Sequence, residues 1–205
     1  RNALLVAAGF APAYRESELR HADLTPVRRA LELVLGSHEP YPAFVLDRRW
    51  EIVLANDAHR RMLAMMLPDA DADRTGNVIR LVFDPELLRP MLTNWEVVAH
   101  VLGHRIQREL RVPTVAPGLR ERLESMLAFP GVTDAMRHAE PSPESAVVIP
   151  LEFDVGGGRR LSWFSTIATL GTPQDVTLDE LRIESLFPAD ESTGHAAREL
   201  AAAAG

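Results

Sequence analysis

Residues 41–63, YPAFVLDRRWEIVLANDAHRRML, constrain the fold of this chain more than any other stretch. Two short apolar runs, 43–46 and 50–55, flank Asp47, Arg48 and Arg49, and Asn56 and Asp57 then open a helical pattern. Polar residues between two β-prone runs predict a β-hairpin, with Phe44 and Leu46 on one face and Trp50, Ile52 and Leu54 on one face of the partner strand. Asn56 or Asp57 is placed to cap the following helix by accepting a bond from an orphan backbone N–H. An antiparallel hairpin must therefore run straight into a helix, whose Met62, Met65 and Met66 are expected to face inward.

The segments on either side extend this pattern. Residues 1–14 read as the end of a helix stopped by Gly9 and Pro12, so residues 1–15 are expected to be the remnant of an upstream domain and 16–24 a linker. Thr25 and Pro26 start a helix with Val27, Leu31, Val34 and Leu35 as its buried stripe. Past the hairpin and its helix lies an acidic loop, 68–76, then short helices over 77–83 and 84–88. Thr93 and Glu96 form a capping-box signature opening a helix to about Arg111, with Trp95, Val98, Leu102, Ile106 and Leu110 on one face. Further helices are predicted over 117–127 and around 133–138. Strands follow over 146–155, 160–170 and 181–187, the first two joined by a turn at Gly156, Gly157 and Gly158. The alanine-rich tail, 189–205, has Leu200 as its one large apolar residue and is expected to be flexible.

Two strands early and three late, with a block of helices between them, predict an α+β domain over residues 25–188. It would be a five-stranded antiparallel sheet with an enlarged helical block on one face.

Composition removes several function classes. There is no cysteine, which excludes disulfides, thiolate metal sites, cysteine nucleophiles and flavin–cysteine photochemistry. No apolar run approaches the ~20 residues of a membrane span and no signal peptide opens the chain, so a cytoplasmic protein with no membrane partner is expected. A net charge of −7 argues against a broad nucleic-acid surface. All 22 basic residues are arginine, a composition read as coding bias rather than phosphate binding.

Catalytic signatures are missing: there is no GxSxG, P-loop or GxGxxG, and the triple glycine joins two strands. No enzyme activity, cofactor or catalytic residue is expected. His100 and His104 have metal-capable spacing but no accompanying carboxylate motif, so no metal site is assigned.

Four collinear stretches carry a resemblance. Residues 161–190, LSWFSTIATLGTPQDVTLDELRIESLFPAD, together with 1–12, 39–56 (EPYPAFVLDRRWEIVLAN) and 77–96 (NVIRLVFDPELLRPMLTNWE), resemble the MmyB-like ligand-binding domain of XRE-type helix-turn-helix transcription regulators. The resemblance implies a PAS-like fold, a small-molecule pocket, and a DNA-binding domain N-terminal to Arg1 that makes the only DNA contacts. It also makes ligands of long-chain acyl type plausible.

The expected function is that of a sensor module, binding an apolar or amphipathic metabolite such as a fatty acid and biasing a DNA-bound homodimer. The alternative is a ligand-free dimerisation or protein-interaction domain. Candidate ligand-binding residues are Phe44, Asn56, Phe83, Trp95, Val98, Leu102, Trp163 and Ser165, with Asn56 and Ser165 orienting a head group. Arg80 and Arg105 are the candidate carboxylate partners. The space between the sheet and the helix over 93–111 is expected to be incompletely filled.

Overall fold

The computed structural model describes residues 25–112, 117–139, 150–169 and 181–203. The expected upstream remnant and linker lie outside them, as do residues 146–149 of one expected strand. Helix α1 (Thr25–Ser37) leads into β1 (Ala43–Leu46) and β2 (Ile52–Ala55), and α2 (Asp57–Met66) follows at once. The middle block holds α3 (Ala72–Thr75), α4 (Val78–Phe83), a 3₁₀ turn at Arg89–Met91, α5 (Trp95–Leu110), α6 (Pro117–Leu127) and α7 (Val132–His138). Strands β3 (Pro150–Asp154), β4 (Arg160–Thr169) and β5 (Arg182–Pro188) come next, then α8 (Glu191–Ala202). The fold is α+β, with one antiparallel sheet in the order β2-β1-β5-β4-β3.

Period-two alternation gives each strand two faces. On β1, Phe44 and Leu46 enter the main core with Trp163, Leu186 and the inner faces of α2, α4 and α5. Ala43 and Val45 point the other way and form a separate small cluster with Leu31 and Leu35 of α1 and Leu181 and Ile183. Helix α1 thus covers part of the outer face, and the helical block covers the inner one. Val34, expected in the buried stripe of α1, is 47% exposed beside Leu33 at 69%.

Asn56 locks the hairpin to its helix. Its side-chain oxygen accepts from His59 N and from Ala43 N, both at 3.0 Å, while its amide donates to Tyr41 O and Leu35 O. One buried residue therefore caps α2 and ties it to β1 and α1. Leaving such buried groups unpaired would cost about 1–3 kcal/mol each.

Several expectations are corrected. Trp50 does not lie on the strand: it ends the hairpin turn with φ of 64°, and β2 begins at Ile52. A left-handed tryptophan is disfavoured by about 1–2 kcal/mol. Complete burial offsets this, with Arg182 and Arg105 over the indole and Nε1 donating to Glu109 at 3.2 Å. The capping box at Thr93 does not form, because the Thr93 hydroxyl donates to Glu152 O and the Asn94 amide donates to Pro150 O, spending both on the edge of β3. The helix expected over 84–88 is a turn in which the Asp84 carboxylate accepts from Glu86 N, competing with helical pairing.

The largest correction concerns the tail. Residues 191–202 are a helix capped by Asp190, whose carboxylate accepts from Thr193 N at 2.7 Å. Thr193 is fully buried, and its hydroxyl accepts from Ser162 N at 2.9 Å. A Cβ on Gly194 would sit 3.5 Å from Pro188, an ordinary van der Waals contact, so this turn of α8 lies directly against the end of β5. Ala196 and Ala197 pack on the main core. Close approach replaces bulk, which the scarcity of large apolar residues conceals.

Candidate ligand-binding site

Two hollows meet at α2. The first is interior, a cavity of about 60 Å³ between the sheet and α5. Phe44, Val98, Leu102 and Ser165, all expected site residues, line it together. Among the further lining residues that sequence reasoning did not assign to the site are His59 and Met62 from α2 and Glu184 from β5. His59, Met62 and Met66 share one helical stripe, so the signal for His59 was present in its spacing. Glu184 lies opposite Phe44 across the strand pair and shares the inner face with Leu186. The strand alternation was legible, but which of its two faces was inner was not.

The polar groups of this cavity are unusual for a core. The His59 ring sits 4.8 Å from Phe44, and burial, aided by the neighbouring Arg60 charge, pushes its pKa down to about 4. The imidazole is therefore neutral at pH 7, and its Nδ1 has no hydrogen-bond partner among the described residues. Burial pushes the Glu184 carboxyl up, while a hydrogen bond with Ser165 and the charges of Arg105 and Arg182 pull it down.

The second hollow is a groove of about 570 Å³ bounded by α2, the β3–β4 hairpin and α8. Met62, Met65, Leu161, Trp163, Ala196 and Leu200 form much of its apolar wall. Arg61, Arg159 and Arg160 stand on it as well. Arg61 is paired with Glu39 at 2.5 Å, whereas no ion pair within the described residues holds Arg159 or Arg160. The expectation of a flexible tail hid this groove, since α8 is one of its walls.

The remaining candidates are placed elsewhere. Asn56 spends its amide on the backbone contacts described above. Phe83 is fully buried in the main core and lines neither hollow. Trp95 donates from Nε1 to Val82 O at 2.8 Å and carries Arg89 at 3.6 Å over its ring, away from both. Trp163 belongs to the groove rather than to the interior cavity. Arg80 lies 3.5 Å from Asp84, and Arg105 lies over Trp50; neither lines the cavity or the groove.

The His100 and His104 rings are in edge contact at 4.5 Å, and His104 Nε2 donates to Met136 O. No cluster of three or more potential metal ligands occurs among the described residues. No helix among them is long and apolar enough to cross a membrane.

A hollow of this size, with mostly apolar walls and a few polar groups, suits small-molecule binding, for which pockets of about 300–1,000 Å³ are usual. The comparison with known proteins agrees. No curated protein matches the chain significantly. The family of MmyB-like transcription regulator ligand binding domains, however, matches residues 27–200, from the start of α1 to near the end of α8. The match covers every strand of the sheet and nearly all of the elements that bound the groove, and the chain belongs to the MmyB-like transcription regulator ligand binding domain family.

Proposed function

We propose that this domain is a non-enzymatic sensor that binds an amphipathic molecule with an acyl-type chain and thereby modulates DNA binding by a helix-turn-helix domain N-terminal to it. Membership of a regulator ligand-binding family supports the regulatory role. The observation that carries the ligand class is the groove: an apolar trough of about 570 Å³ with two arginines at the hairpin end that no ion pair holds among the described residues. Each methylene that leaves water there contributes about 0.8 kcal/mol, so a chain of several carbons offsets the cost of immobilising it. Arg159 and Arg160 would meet the anionic head, the role the sequence reading gave to Arg80 and Arg105. Native mass spectrometry of gently purified protein, followed by thermal-shift titration with medium- and long-chain carboxylates, tests this. A copurified or stabilising acyl chain is expected; no mass addition and no shift with any chain would defeat the reading.

Self-association is the second part of the proposal. Leu33 and Val34 lie exposed on α1, the described element nearest the N-terminal side of the chain. Two-fold pairing suits a regulator that reads two half-sites. Light scattering should give a dimer mass that Leu33→Asp reduces to a monomer; a monomeric parent protein at tens of micromolar would count against it.

A further inference from the structure

We infer that the groove and the interior cavity are two ends of one binding channel, partitioned by Met62, and that its preferred occupant carries an anionic head at Arg159 and Arg160 and an uncharged hydrogen-bonding group at its far end, met by His59, Ser165 and Glu184. The inference rests on the acyl-chain reading of the groove and specifies the other end of the ligand. Met62 is the geometric link, because its side chain forms part of both walls. An unbranched thioether with three rotatable bonds is well suited to swing from such a position without disturbing the backbone.

The chemistry of the far end follows from what stands there. The cavity walls are mostly aliphatic and aromatic, yet three polar side chains from three different elements converge on it. His59 is 4% exposed, and among the described residues its Nδ1 lacks a partner. Buried polar atoms are paired in the great majority of cases, so an orphan in a cavity wall marks where a ligand atom is received. Ser165 and Glu184 are already bonded to each other, and each retains further hydrogen-bonding capacity. A plain alkyl terminus would leave His59 unpaired, and a charged one would be desolvated at large cost. A terminal hydroxyl avoids both penalties, since it can donate to one of these groups and accept from another.

The decisive experiment titrates the 205-residue protein with saturated medium- and long-chain carboxylates and with their ω-hydroxylated counterparts. At the best chain length, the hydroxylated series is expected to bind about tenfold tighter, the weight of one net buried hydrogen bond. His59→Phe and Ser165→Ala should each reduce the ratio of the two affinities towards unity, whatever each does to binding of the plain chain. Met62→Trp should weaken both series by narrowing the passage. Equal affinities for the two series, the result if a bridging water serves His59 instead, overturn the inference and leave the groove reading intact. A preference that survives both His59→Phe and Ser165→Ala also overturns it. Failure of both series to bind overturns the acyl reading and this inference together, whereas failure of the hydroxylated series alone overturns only this inference. Should His59→Phe not fold, Ser165→Ala carries the test.

Discussion

The interior cavity and the groove share Met62, yet they are built by opposite means. The cavity is the space left between large side chains already in contact: Phe44, Val98 and Leu102 are each no more than 6% exposed around it. The groove is the space left between elements, because α8 is held against the sheet at Thr193 and Gly194 while its later turns stand across from α2. In the first, volume is coupled to the stability of the core. In the second, volume is set by a cap and a close approach some distance away. A domain of this design can change what its groove admits without repacking its centre.

Three substitutions break or sharpen that division. The largest effect is expected from the buried imidazole of the cavity. His59 has a folded pKa of about 4 against an ordinary value of 6.5, so below 6.5 the unfolded chain takes up a proton that the folded one refuses. Relative to His59→Phe, the protein should keep its full stability above pH 6.5, lose it as the pH falls towards 4, and level off below that. The total loss should be roughly 3 kcal/mol. Glu184, whose pKa is raised by burial, gives the opposite slope, but it is common to both proteins and cancels in the difference. Urea unfolding across this range checks the point. Parallel pH profiles would mean that His59 is not sealed in the core.

The next contrast pairs one substitution in each hollow. Val98→Trp adds an indole to a wall whose cavity is only about 60 Å³, so overpacking should cost about 1–3 kcal/mol. Ala196→Trp adds its indole at a half-buried position that packs on the core but borders the open groove, so it should cost less than Val98→Trp, about 1 kcal/mol or below, while abolishing acyl binding. Melting temperatures with and without a carboxylate ligand separate the two. If Ala196→Trp destabilised the protein as much as Val98→Trp, the groove would have to be counted as core.

The hairpin, its capped helix, the number and order of strands and the family were legible in the sequence because each depends on neighbours within a few residues or on a collinear pattern. Asn56 shows the limit of that kind of reading. Its place after the hairpin and its capping of α2 were legible, but it was also read as orienting a ligand head group, whereas the four hydrogen bonds of its side chain go to backbone groups brought together by the fold. The candidate site was half legible for a related reason. Phe44, Val98, Leu102 and Ser165 follow from apolar periodicity and strand alternation, but Arg80 and Arg105 were chosen for charge alone, and charge in a sequence does not show which partner has already claimed it.

The sequence by itself determined the α+β class, the antiparallel pairing rules and the inward stripes, since backbone geometry fixes periods of 2 and 3.6 wherever the chain goes. Tertiary structure alone decided that Trp50 takes a left-handed turn, that Glu184 faces inward, and that an alanine-rich segment docks as a wall. Each of these depends on distances between residues far apart in the chain: Arg182 and Glu109 around Trp50, Ser165 beside Glu184, and Ser162 bonded to Thr193. A strained turn, a buried carboxylate or a small-residue helix is unfavourable or neutral in isolation. The contacts that stabilise it exist only once the sheet has closed.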